Sequence, residues 1–115
     1  MKYMLLIYEN EAAQSEPTRE ELAAWFRYTN DLAAKTKLVG SGALKPTNTA
    51  TTVRQKGGSM VTLDGPFAET KEQLGGFYLI DARDLDEAIS WAGKMPHIPR
   101  GGTVEVRPVM EFDTN

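Results

Sequence analysis

Tyr3 to Tyr8 is an unbroken apolar run of strand length, held between Lys2 and Glu9-Asn10. Such a run, without polar alternation, predicts a central strand covered on both faces. After a polar stretch comes SEPTREEL, where Thr18 and Glu21 stand at capping-box spacing behind Pro17. A helix starts there. Leu22, Trp25, Phe26, Thr29, Leu32 and Ala33 fall on one side of it by 3.6-residue periodicity, and Gly40 and Gly42 lie beyond its end. Leu38 to Leu44 predicts a second strand, closed by Lys45-Pro46. Thr47 to Lys56 is threonine-rich and alternating, as an exposed strand would be, and Gly57-Gly58 offers a hairpin turn into Ser59 to Leu63.

The next stretch, DGPFAETKEQLGG at 64–76, is longer than the about 2–6 residues that a plain connection needs. Thr70 and Gln73 have capping-box spacing, which predicts one helical turn over KEQL. The stretch reads as a structured loop at the rim of a cleft. Phe77 to Ile80 is another continuous apolar strand. Asp84 and Glu87 mark a second helix start, with Leu85, Ala88, Ile89 and Ala92 as its apolar stripe, Trp91 off the centre, and an end before Pro96. MPHIPRGG is a loop. In the closing TVEVRPVMEF, Val104, Val106 and Met110 alternate with Glu105, Arg107 and Glu111.

The order is β-α-β, an inserted hairpin, then β-α-β. This predicts an α+β ferredoxin-like subunit, residues 1–115 forming a single domain, with both helices on one side of an antiparallel sheet. Two helices cover one sheet face, yet 3–8 and 77–80 are apolar at odd and even positions alike. A second subunit packed sheet to sheet is the expected cover, giving a homodimer. The alternative is that the hairpin folds over this face within one chain.

Composition narrows the function. The 115 residues carry a net charge of −3, so the basic surface that nucleic acid needs is missing. Cysteine is absent, which removes disulfides, thiolate metal sites and cysteine nucleophiles together. One histidine per chain rules out a multi-histidine metal centre. No run approaches a membrane span, and the N-terminal apolar stretch is too short for a signal peptide, so a cytoplasmic protein is expected.

The stretch DGPFAETKEQLGGFYLIDARDLDEA, then VEVRPV, resembles the DGPF branch of the YCII-related proteins. MKYMLLIYE, GSGALKP and TATTVR fit the same pattern. The resemblance implies a dimeric α+β barrel of ferredoxin-like subunits. It also implies relatives that include cofactor-free enzymes of small aromatic compounds, a dehydrochlorinase-like member among them, and others associated with sigma factors. In YCII proper, a histidine on the first helix and an aspartate after the second have been proposed as an acid–base pair. Here Trp25 or Phe26 takes the histidine position and Met95-Pro96-His97 replaces the second motif, so that pair does not carry over.

Several residues could carry chemistry. Asp64 precedes Gly65-Pro66, as an Asx-type turn residue or as a general base. Glu69 and Lys71 would stand at the loop rim, solvated or ligand-binding. Glu105 and Arg107 share a face of the last strand and could form an ion pair or grip an anion. His97 alone has an ordinary pKa near neutrality, though an exposed histidine is the common outcome in a Pro-flanked loop. Tyr3, Tyr8, Tyr28 and Tyr78 read as core or interface residues, and a hydroxyl aimed into a pocket could bind substrate. Two functions follow. One is a cofactor-independent enzyme, with Asp64 and His97 as catalytic groups and Arg107, Glu105, Glu69 and Lys71 binding a small ligand near the DGPF loop. The other is a ligand-binding or regulatory module without turnover.

Overall fold

The computed structural model describes residues 1–112. In chain order the main elements are β1 (Lys2–Glu9), α1 (Arg19–Lys35), β2 (Lys37–Ala43), β3 (Thr51–Lys56), β4 (Ser59–Asp64), β5 (Gln73–Asp81), α2 (Leu85–Gly93) and β6 (Thr103–Pro108). The larger sheet runs β2-β5-β1-β6 with every pairing antiparallel, and β3 and β4 form a separate two-stranded sheet. The unbroken apolar runs do occupy the centre, where β1 lies between β5 and β6.

Local chemistry sets the boundaries. The Thr18 hydroxyl accepts from Glu21 N–H at 3.1 Å, and the Asp84 carboxylate accepts from Glu87 N–H at 2.9 Å. Each satisfies one otherwise orphaned donor at its helix start. Gly57 and Gly58 both have positive φ, +59° and +81°, which lets the β3–β4 hairpin close through a turn that matches strand twist. At β6 the alternation ends with Pro108, which has no N–H to extend a ladder, so Met110 and Glu111 lie past the strand rather than in it.

Both helices cover the same sheet face. Tyr3 and Leu5 of β1 and Tyr78 and Ile80 of β5 pack with Tyr28 and Leu32 of α1 and with Ala88 and Trp91 of α2. Full burial of a side chain such as Leu5, Leu32 or Ile80 contributes about 1.5–3 kcal/mol. The helices are rotated from the stripes that periodicity alone marks out. In α2, Trp91 is buried while Leu85 and Ile89 are exposed. The face Ala88–Trp91–Ala92 lets the helix approach closely through its alanines, and the indole fills the remaining space, while the Trp91 main-chain carbonyl accepts from the Tyr28 hydroxyl at 2.7 Å. In α1, Tyr28 displaces Leu22 and Phe26 from the core, and Phe26 stands 70% exposed.

Residues 65–72 contain no helical turn, contrary to the capping-box spacing. The Thr70 hydroxyl donates to Glu72 O, and the Gln73 amide returns to Thr70 O while its carbonyl accepts from Glu11 N–H at 2.9 Å. Gln73 is already in β5 opposite Glu9, so the strand claims the residues that the turn would need.

On the far sheet face Met4, Leu6, Phe77 and Leu79 are half-buried, with Arg107 opposite Met4 and Glu105 opposite Leu6. The hairpin does not pack along this face, and Val53, Met60 and Leu63 on it are exposed. The radius of gyration is 16.3 Å and the extents are 48 × 47 × 19 Å. A compact chain of this size has a radius of about 13 Å, so the excess measures how far the hairpin stands out. Among the described residues no helix is long and apolar enough to cross a membrane.

Candidate functional site

A cavity of about 620 Å³ opens on the helix-covered side of the sheet, between the first half of α1, the ends of β1, β2 and β5, and the loop from His97 to Gly102. Its volume suits a small ligand. Trp25, Phe26 and Tyr78 line its walls, and its floor includes Ser41, Gly42 and Gly76. The floor is flat because two backbones meet there. A Cβ on Gly76 would lie 2.7 Å from Gly42 O, so only glycine lets β2 and β5 pair at this point.

His97 is the centre of the site. It is 1% exposed, which overturns the expectation of an exposed loop histidine. The short 3-10 turn Ile98–Arg100 folds the loop back, and Arg100 N–H and Gly102 N–H both donate to His97 O, at 3.1 and 3.0 Å. The ring then lies over Gly102, where any Cβ would fall inside the imidazole. On its other side the indole of Trp25 packs with ring centres 5.4 Å apart.

Nε2 of His97 lies 3.0 Å from Thr103 O. A carbonyl oxygen only accepts, so Nε2 carries the hydrogen. Nδ1 is buried and has no hydrogen-bond partner among the described residues. In the neutral ring it therefore presents an unused lone pair inside a cavity-lining side chain. A buried acceptor left unpaired costs about 1–3 kcal/mol, a cost that a bound donor removes.

A second polar feature faces the same space. The Thr29 and Tyr78 hydroxyls lie 2.5 Å apart, and both residues line the cavity. The pair has two hydroxyl protons and their mutual bond uses one. The other remains for a ligand. Burial raises the Tyr78 pKa above its ordinary 10.0 although the Thr29 hydrogen bond works against it, so this hydroxyl is a donor and not a base at neutral pH. Behind it, Tyr28 packs edge-on at 5.5 Å and fixes the Tyr78 ring. Tyr28 itself titrates still higher, through burial first and the neighbouring Tyr78 second.

Of the residues singled out from sequence, the structure brings His97 and Tyr78 to the cavity. Asp64 is exposed at the end of β4, outside the cavity lining, and no described residue hydrogen-bonds its carboxylate. The corner it was expected to shape is made by backbone instead. Gly65 has φ +97°, its N–H donates to Ala50 O at 2.7 Å, and its carbonyl takes the Thr52 hydroxyl at 2.8 Å. Glu69 and Lys71 are exposed on the loop, while Glu105 and Arg107 are exposed on the far sheet face, and none of the four lines the cavity. Sequence reading passed over Arg100, Glu21 and Glu9, which ring the mouth. Thr29, a hydroxyl on an otherwise apolar helix stripe, was the available signal for the cavity. Among the described residues no three His, Asp or Glu side chains converge as a metal ion would require.

Comparison with known proteins fits this architecture. The chain resembles the fold of 5-chloro-2-hydroxyhydroquinone dehydrochlorinase from Burkholderia phenoliruptrix AC1100, solved with 2,5-dihydroxybenzoquinone, at a TM-score of 0.58 and 18% identity over 97% of this chain and 96% of that one. At that identity the likeness concerns fold alone. An uncharacterised protein of Rhizobium meliloti (strain 1021) is 43% identical over 117 aligned positions, covering 95% of this chain and 92% of the relative. The model of the YCII-related domain matches residues 1–113. This chain is therefore a member of the YCII-related domain family.

Proposed function

We propose that the His97 cavity takes a small ring compound bearing a hydroxyl group, and that His97 is the proton acceptor of a cofactor-independent enzyme. The observation that carries this is the unpartnered, buried Nδ1 of His97. With the side chains that cover it shifted aside, the ligand O–H donates to that nitrogen. Proton transfer breaks the O–H bond, forms Nδ1–H, and leaves an oxyanion beside an imidazolium. The spare hydroxyl proton of the Thr29–Tyr78 pair offers a second hydrogen bond, to a carbonyl or hydroxyl oxygen of the ligand. Trp25 and Phe26 supply faces for an aromatic ring. The fold neighbour's dihydroxylated quinone ligand is of this chemical kind, which supports the reading.

The second reading is a binding or regulatory module of the DGPF branch using the same cavity without turnover. The placement of Asp64 outside the cavity favours it, since among the described residues no carboxylate hydrogen-bonds either nitrogen of His97. One experiment tests both. Hydroquinone is titrated against the wild type and His97→Phe, followed by thermal unfolding and by ¹H NMR of the ligand over time. A ligand at about a hundred times its Kd stabilises by about 2.7 kcal/mol. Stabilisation lost in His97→Phe supports the site, and no stabilisation of either protein overturns it. Consumption of the ligand selects the enzyme, and unchanged ligand selects the module.

We also propose that the far sheet face meets its counterpart in a second copy, forming the dimeric α+β barrel. Support comes from the half-buried Met4, Leu6, Phe77 and Leu79, left uncovered by helix or hairpin.

A further inference from the structure

The mouth of the His97 cavity carries a charge arrangement that decides which hydroxylated rings can enter. Among the described residues the charged side chains lining the cavity are Glu9, Glu21, Glu72 and Arg100, three carboxylates against one guanidinium. The guanidinium is already engaged. Arg100 Nη1 lies 3.0 Å from Glu21 Oε1, and Nη2 lies 3.9 Å from Glu9 Oε1. Glu72 is fixed by the Thr103 hydroxyl, which donates to its Oε1 at 2.8 Å. An arginine flanked by two carboxylates of its own chain is a poor anion receptor, and a ligand carboxylate would arrive among like charges.

Resting on the reading of this cavity as a site for hydroxylated rings, we infer that Glu21 and Arg100 form a charge filter that admits uncharged rings and rejects carboxylated ones. Glu21 is the determinant. It projects from the first turns of α1, holds Arg100 across the mouth, and removes the cation that would otherwise favour an anion. Rejection by a misplaced like charge is a common route to specificity, because it costs the wrong ligand without improving the right one. The interaction is partly exposed, with side chains 34% and 47% accessible, so the discrimination is moderate and weakened by salt.

Two probes isolate the charge. 4-Hydroxybenzamide and 4-hydroxybenzoate share a ring, a phenol and a nearly equal second substituent, and differ in one negative charge. Their affinities are measured by calorimetry at low ionic strength for the wild type, Glu21→Gln, and the double variant Glu21→Gln/Arg100→Gln. The wild type is expected to bind the amide about fivefold more tightly than the carboxylate. In Glu21→Gln the ratio falls to one or inverts, because Arg100 is released to the ligand. In the double variant the preference for the amide returns. Equal binding of both probes by the wild type, or an unchanged ratio in Glu21→Gln, overturns the filter while leaving the site. Failure of every protein to bind either probe removes the site and the filter together.

Discussion

His97 donates its Nε2–H to the carbonyl oxygen of Thr103, 3.0 Å away and six residues on in the chain. That bond decides which imidazole nitrogen is left without a hydrogen. It pins the tautomer from the strand side, since Thr103 opens β6. Nδ1 is thereby left unprotonated in a buried position. Long-range ¹H–¹⁵N NMR should show a protonated Nε2 and a pyridine-like Nδ1 in the neutral ring. The opposite tautomer would leave Thr103 O without its donor and remove the proposed proton acceptor.

Gly102→Ala tests the seat of that ring. A methyl group at this position overlaps the imidazole, while the His97 carbonyl is held by Arg100 N–H and Gly102 N–H. The ring has to leave its place. The expected result is a loss of about 1–3 kcal/mol in urea unfolding, as for other overpacking changes. The stabilisation by hydroquinone should be lost as well. A variant that retains full ligand stabilisation would show that the ring position is not what matters.

Gly76→Ala addresses the floor. Its new methyl would meet Gly42 O at 2.7 Å, and a backbone oxygen in a sheet cannot rotate away as a side chain can. We expect the β2–β5 pairing to loosen, with a stability loss of about 1–3 kcal/mol. Hydrogen exchange should localise the change to Leu44 N–H, which donates to Gly75 O at 2.8 Å, and to its neighbours in the ladder.

High pH should unfold the protein through its tyrosines. Burial raises the pKa of both Tyr28 and Tyr78 above the ordinary 10.0. Above pH 10 the unfolded chain therefore loses these protons while the folded chain keeps them. The folded state then binds more protons, so stability falls as pH rises. Their contribution is fully present below about pH 10 and is lost through the range above it. Denaturation followed at several pH values should show the decline, and Tyr78→Phe should make it shallower. An unchanged slope in that variant would assign the decline elsewhere.

The proposed dimer has a direct test. Leu79 sits at the centre of the far sheet face, opposite Met4 on β1 and Gly40 on β2. Sedimentation should give a dimer for the wild type and a monomer for Leu79→Glu, because a carboxylate cannot be buried there without a partner. A wild-type monomer at micromolar concentration would end the proposal.

Much of the fold was written locally. The apolar runs at 3–8 and 77–80, the caps at Thr18 and Asp84, and the Gly57-Gly58 turn each act over a few residues, and each is found where the chain pattern puts it. Strand order followed because β-α-β units leave few ways to connect. Local signals misled where a distant residue competed for the same segment. KEQL has the spacing of a helix start, but Glu9 and Glu11 recruit Gln73 into β5. Periodicity located the helices but not their rotation, because small and large apolar residues score alike along a stripe. Only packing shows that Ala88 and Ala92 approach the sheet while Leu85 and Ile89 do not.

The candidate site belongs to tertiary structure. Asp64, Glu69 and Lys71 drew attention because they cluster in sequence, and the structure leaves them in solvent, away from the cavity. His97 read from the sequence either as a catalytic group or as an exposed loop residue, and the fold buries it against Trp25, a partner from α1. Trp25 and Phe26 of α1 and His97 of the loop before β6, far apart in the chain, meet at one cavity. Sequence by itself determined the two helix starts, the central apolar strands, the hairpin turn and the layer they form, since hydrogen bonding and side-chain alternation work between near neighbours. Which nitrogen is left free, which charges ring the mouth and which sheet face stays open depend on groups brought together from α1, β5 and the loop before β6, and folding alone sets those distances.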